Sequence, residues 1–183
     1  MAIKLFNSIS KTIEIFEPLH KDSIKMYVCG PTVYERPHIG NARSMVVYDV
    51  LYRLLVKNFG TNKVTYVRNI TDVDDKINKA AKEQNIPIQK LTSNVIDDFN
   101  KDVHSLNCLK PTIEPKATEH IPEIVSMVKT LIENGSAYIS DHHVYFRVKS
   151  FAEYGNLARK DLEELESGNR VAVSGSKEGT SDF

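Results

Sequence analysis

The sequence predicts an α/β fold with parallel strands, and three observations carry that expectation. A short apolar run, Ile24 to Val28, stops at Cys29-Gly30-Pro31 and leads through His38-Ile39-Gly40-Asn41 into a long helical pattern. A second β-rich run, Val64 to Ile70, ends in Asn69-Ile70-Thr71-Asp72 and precedes another helix from about Lys76. This second run is continuously β-prone, as a strand covered on both faces should be. Two successive β-loop-α units imply parallel strands joined by a right-handed crossover, with ligands bound at the carboxyl ends of the strands. Cys29 and Thr71 both fall on that edge.

The remaining elements follow in chain order. Ile3 to Phe6 and Thr12 to Phe16 flank a polar turn and predict a hairpin at the edge of a sheet. Ala42 to Asn58 carries Val46, Val47, Val50, Leu51, Leu54 and Leu55 at helical spacing, which predicts one buried face, and Gly60 supplies a stop. Further helices are expected at Thr92 to Leu106 and at Thr118 to Asn134, the latter closed by Gly135. Between them Asn107 to Lys116 contains prolines and reads as a crossing between subdomains. The pattern then changes. Ala137 to Ile139 and Val144 to Val148 flank Asp141-His142-His143 as a second hairpin. A short acidic helix near Asp161 to Glu166, a β-prone patch at Arg170 to Val173 and a Gly/Ser-rich tail, Ser174 to Phe183, complete the chain.

Composition excludes several classes. At 183 residues the chain can bury a sizeable core, and 41% hydrophobic with 26% charged residues is ordinary globular usage rather than disorder. No run of about 18 apolar residues exists, and the start, MAIKLFNSISK, lacks a signal peptide's apolar core, so no membrane partner and a cytoplasmic location are expected. Formal net charge is zero, so no global basic field announces a nucleic acid, although another domain could carry one. Cys29 and Cys108 are far apart and read as a reduced pair.

Several residues have two readings. Cys29, just past a strand end, suits zinc as a thiolate ligand, or is a small packed residue. His38-Ile39-Gly40-Asn41 could present an imidazole and backbone N–H groups to a phosphate, with Gly40 allowing close approach, or could be a helix cap. Thr71 fits ordinary turn chemistry before a helix. Asp72, Asp74 and Asp75 suggest either a metal cluster or an acidic helix start that suits the dipole, and the second is the simpler reading. Cys108 reads as packing, and His142-His143 as a solvated hairpin tip.

Taken together, Met26 to Ser44 and Val67 to Lys76 resemble cysteinyl-tRNA synthetases, class I ligases that charge tRNA with cysteine. Glu114 to His120, Gly135 to Tyr138, Tyr154 to Leu157 and Asp182-Phe183 match as well, in order and in register over essentially the whole chain. The resemblance implies the first half of a Rossmann-like class I synthetase catalytic domain over 1–114, then an inserted α+β connective region over 115–183, truncated at its end. It implies that Cys29 is a zinc ligand and that the zinc binds the substrate thiolate, which would explain rejection of serine. It makes His38 and Asn41 catalytic, and Thr32, His38, Gly40 and Asn41 the ATP-binding set. Gly30 and Thr71 would hold the substrate cysteine. Asn41 stands where the family usually has histidine; it can donate a hydrogen bond but cannot carry a proton. ATP with magnesium, cysteine and tRNA(Cys) are the implied substrates of a monomer.

The same resemblance implies parts that the sequence does not contain: a cysteine, a histidine and a glutamate completing the zinc site, a Lys-Met-Ser-Lys-Ser loop and tRNA-binding helical domains. The chain is therefore expected to be an amino-terminal fragment, inactive alone. The alternatives are a non-catalytic copy that binds nucleotide or a partner, and the related ligase that joins cysteine to an amino-sugar inositol.

Overall fold

The computed structural model describes residues 2–158 and 177–183, which fall into two compact units. One is Glu17–Ile121; the other combines Ala2–Phe16 with Pro122–Phe183. The acidic helix expected near Asp161 to Glu166, the strand patch at Arg170 to Val173 and the first residues of the tail lie outside the described residues.

The hairpin at the amino terminus is present as β1 (Lys4–Asn7) and β2 (Thr12–Ile15), antiparallel, with Lys4 opposite Ile15. It forms a two-stranded sheet of its own, not the edge of a larger sheet that the sequence predicts. In the first unit, β3 (Ile24–Val28) pairs in parallel with β4 (Val64–Arg68), Met26 opposite Tyr66. Ile24, Met26 and Val28 are buried while Lys25 and Tyr27 face out, the period-2 alternation of a half-covered strand. Helix α1 (Ile39–Phe59) makes the crossover, and α2 (Asp75–Gln84) and α3 (Ile88–Ser105) follow β4. Val33, Ile70, Ile77, Ala81, Leu91 and Val95 form one core cluster, so the first βα loop, the end of β4, α2 and α3 pack together.

Two further expectations are corrected. Of the six apolar residues that predicted the buried face of α1, only Leu55 is buried; Val46, Val47, Val50 and Leu54 are exposed. The inner face is instead Met45, Asp49, Tyr52 and Leu55. Asp49 is inside because its carboxylate accepts from Arg53 (2.6 Å) and from the Leu109 backbone N–H (2.7 Å), a satisfied buried charge that an apolar count cannot anticipate. Tyr52 packs against Tyr66, ring centroids 5.0 Å apart, and fixes the helix to the sheet.

The second correction concerns Asn107 to Lys116. Rather than only crossing away, its end runs parallel to β4 through bridges Val67 to Ile113 and Ile70 to Lys116. The Ile113 and Pro115 carbonyls accept from the Arg68 and Ile70 N–H groups. Proline is tolerated there because it lies at a sheet edge and supplies a carbonyl, not an N–H. The segment also carries Glu114, whose carboxylate holds the guanidinium of Arg68 at 2.6 Å. Arg68 is 2% exposed, lies over the Phe99 ring at 5.0 Å and reaches the Met45 Sδ, so the buried charge is matched on every side.

In the second unit, α4 (Ile121–Glu133) starts at the boundary and leads into the hairpin of β5 (Ala137–Ser140) and β6 (His143–Phe146). Asp141 and His142 take positive φ at its tip, so the predicted turn is found. Asp182, 3% exposed, anchors the carboxyl-terminal residues. It accepts from the Tyr138 hydroxyl (2.8 Å), the Val148 N–H (2.9 Å) and the Gly179 N–H (2.9 Å). Phe146, Tyr154 and Phe183 cluster beside it. Among the described residues no helix is long and apolar enough to cross a membrane.

Candidate functional site

The carboxyl ends of β3 and β4 are held together by backbone and glycine rather than by side-chain bulk. Thr71 N–H donates to the Pro31 carbonyl (3.0 Å) and Val33 N–H to the Thr71 carbonyl (3.1 Å), which continues the parallel pairing as a Thr32–Thr71 bridge. Gly30 passes so close to the other strand that a Cβ there would lie 1.5 Å from the Asn69 carbonyl oxygen. Only glycine fits this approach. The Gly30 N–H donates to Asn69 Oδ1 (2.9 Å), and Asn69 Nδ2 donates to Thr71 Oγ1 (3.2 Å), so one amide couples both loops. In the sequence Asn69 stands out only as part of a matching run; its bridging role depends on a hydrogen bond between residues 39 positions apart and leaves no local trace.

Beyond this junction the first loop lines a cleft of about 270 Å³. Gly30, Thr32, His38 and Asn41 are in its wall, with Tyr34, Arg36, Lys76 and Phe99 among the others. Thr71 is held beside Thr32 but outside the lining, and Gly40 lies directly beneath the His38 ring, where a Cβ would meet Cε1 at 2.8 Å. Cys29 is exposed, also outside the lining, with its Sγ 3.7 Å from the Gly30 carbonyl. Among the described residues no group of three His, Cys, Asp or Glu side chains is placed to hold a metal ion.

His38 and Asn41 form a reciprocal capping box at the start of α1. His38 Nδ1 accepts from the Gly40 N–H (3.0 Å), and Asn41 Oδ1 accepts from the His38 N–H (3.0 Å). The capping reading and the phosphate reading are thus compatible: with Nδ1 engaged as acceptor, the neutral ring keeps its proton on Nε2, available as a donor. No acidic residue occupies the first turn of α1, so its positive dipole end is not neutralised locally.

The three aspartates are structural. Asp72 accepts from the Thr118 N–H (2.9 Å) and hydroxyl, Asp74 caps α2 by accepting from the Lys76 N–H (2.8 Å), and Asp75 begins that helix. Arg36 reaches Asp102 (3.3 Å) and Asp98 (3.7 Å) and ties the first loop to α3. The Tyr34 hydroxyl is raised above its ordinary pKa, chiefly by its hydrogen bond to Glu35 and then by burial. Cys108 packs against Met45, Phe99 and Val103, and burial pushes its thiol up, as suits a packing residue.

Residues 15–183 match the family model described as tRNA synthetases class I (C) catalytic domain. A cysteine–tRNA ligase of Pelagibacter ubique is 51% identical over 181 residues, covering 99% of this chain and 40% of that protein. One from a Wolbachia of Drosophila simulans is 52% identical over 181 residues, covering 99% and 39%, and one from Xanthobacter autotrophicus is 47% identical over 183 residues, covering 100% and 40%. The chain thus spans about 40% of the length of these relatives. Among solved structures, LeuRS of Agrobacterium radiobacter K84, in a ternary complex with tRNA and LeuAMS, superposes with a TM-score of 0.61 at 16% identity, covering 83% of this chain and 24% of that one. That likeness concerns the fold alone.

Proposed function

Because the chain belongs to the family of class I tRNA synthetase catalytic domains of the cysteine type, we propose that it is the amino-terminal portion of a ligase that activates cysteine with ATP and transfers it to tRNA(Cys). Residues 1–114 would be the first half of the nucleotide-binding domain and 115–183 its connective insertion. The protein would act in the cytoplasm as a monomer.

The observation that carries this reading is the capped, acid-free start of α1 opening into the cleft at the carboxyl end of β3. Adenylate formation is a displacement in which the cysteine carboxylate attacks the α-phosphate of ATP and pyrophosphate leaves. Such a step needs positioning and stabilisation of charge on phosphate oxygens. His38 would donate from Nε2 to a phosphate oxygen, and the first-turn N–H groups near Gly40 would add their dipole. Asn41 already spends its Oδ1 on the His38 N–H, so its Nδ2 would donate to the same anion. Gly30 and Thr71, coupled through the Asn69 amide at the strand ends, would hold the amino acid, and Thr32, bridged to Thr71, would line the ATP pocket. The ribose hydroxyl of tRNA then takes the cysteinyl group from the adenylate.

Zinc is implied by the family, and magnesium would accompany ATP. Cys29 by itself does not fill zinc's usual four-ligand shell, and among the described residues it belongs to no group of three His, Cys, Asp or Glu side chains placed to hold a metal ion. The steps above rest on groups of this chain alone.

A chimera tests the reading: this chain replaces the matching residues of the Pelagibacter ubique relative, and cysteine-dependent ATP–pyrophosphate exchange is measured. Exchange with cysteine and not with serine is the expected result, whereas the 183-residue chain alone is expected to give none. A folded chimera without exchange, beside an active parent, would overturn the proposal.

A further inference from the structure

The cleft at the carboxyl end of β3 contains a cation with no part in the chemistry proposed so far. Arg36 and Lys76 both line it. The Arg36 guanidinium is engaged by Asp102 at 3.3 Å and Asp98 at 3.7 Å, so its charge is matched by carboxylates of α3. Lys76 has no such partner: among the described residues no carboxylate forms an ion pair with its Nζ, which rests instead over the Tyr34 ring, 5.2 Å from the centroid. Of the neighbouring acids, Asp74 accepts from the Lys76 backbone N–H, Asp72 accepts from Thr118 and Glu35 is hydrogen-bonded to the Tyr34 hydroxyl.

An unpaired ammonium in a polar cleft, parked on an aromatic face by a weak and reversible contact, is suited to a mobile anion. Its flexible stem lets it act as a point charge on phosphate, without the fixed fork of an arginine. It also projects from the first turn of α2, after the second βα loop, whereas His38 and Asn41 belong to the cap and first turn of α1, after the first, so two helix starts would grip one ligand from separate elements. The start of α2 itself is closed by Asp74 and Asp75, which leaves the side chain as the means by which this loop attracts an anion.

We propose that Lys76 is a phosphate-binding residue of this cleft, holding the outer phosphates of a nucleoside triphosphate. This rests on the nucleotide reading given under Proposed function. The triphosphate is favoured over a monophosphate because a lone point charge gains most from the ligand of greater negative charge.

The test is calorimetric titration of the 183-residue chain and of its Lys76→Ala, Lys76→Arg and Lys79→Ala variants with ATP and with AMP. Lys79 is a control on the same helix, paired with Glu83. The expected result is a fall of about tenfold in ATP affinity for Lys76→Ala, little change for AMP, substantial recovery in Lys76→Arg and no change in Lys79→Ala. Inorganic tripolyphosphate should compete with ATP on the parent chain and lose most of that competition on Lys76→Ala. Thermal melts monitor the fold, and Lys76 is solvent-exposed, so the alanine variant is expected to melt with the parent. ATP binding that is indifferent to Lys76→Ala, or equal losses for ATP and AMP, would overturn the role of Lys76 while leaving the nucleotide reading intact. A parent chain that binds neither nucleotide would overturn both.

Discussion

Helices α1 and α2 start at the same edge of one parallel sheet, yet their first turns are built from opposite chemistry. The α2 start is capped by Asp74 and carries Asp75, two carboxylates set against the positive end of the helix. In α1 the cap is an imidazole, the reciprocal partner is an amide, and the first turn contains no acid. Both ends are therefore capped by a side chain, but only α2 also carries acid at its positive end. Position at the carboxyl edge is shared; what differs is that the end of α1 is not neutralised by acid, whereas α2 offers positive charge to the cleft only through the Lys76 side chain.

The most drastic way to break this comparison is Gly30→Ala, because the new Cβ would collide with the backbone carbonyl of Asn69, the residue whose side-chain amide joins the two loops. A loss of about 3 kcal/mol or more is expected, as for severe overpacking, read as a lower midpoint in urea unfolding. A midpoint equal to that of the parent would mean that the loops yield independently.

A smaller effect is expected from His38→Ala, which touches only the α1 end. Nucleotide affinity should fall about tenfold, with a loss of roughly 1 kcal/mol in stability from the missing cap. Affinity unchanged beside that stability loss would leave His38 a cap and nothing more.

Smallest for the ligand is Asp74→Ala. Removing the α2 cap should cost about 1 kcal/mol in thermal unfolding while leaving ATP binding within about twofold of the parent. A tenfold change in affinity would erase the division of labour between the two helix starts.

Strand β3 is legible residue for residue, since its alternation and its Gly-Pro stop are local features. That Gly30, Thr32, His38 and Asn41 line one cleft is legible for a similar reason: all lie between the end of one strand and the first turn of the helix that follows, and the fold class fixes which edge that stretch occupies. The inner face of α1 is not. Its spacing offers six apolar residues, but the burial of Asp49 is decided by Arg53 and by the Leu109 N–H, 60 positions away. The same holds for Arg68, which reads as polar punctuation in a strand until Glu114 and Phe99 are brought to it. Lys76 is hidden because it follows a conspicuous aspartate run, and its having no carboxylate partner among the described residues is a property of space, not of sequence. Prolines disguise the segment beside β4 by mimicking a linker.

The outward valines of α1 bear on how the chain behaves in a tube. Val47 and Val50 are 57% and 60% exposed, with Val46 and Leu54 beside them. Formal net charge is zero at pH 7, so electrostatic repulsion between molecules is at its weakest where most experiments are run. A sticky stripe on a molecule without net charge sets a ceiling on working concentration, and buffers moved away from neutrality raise it.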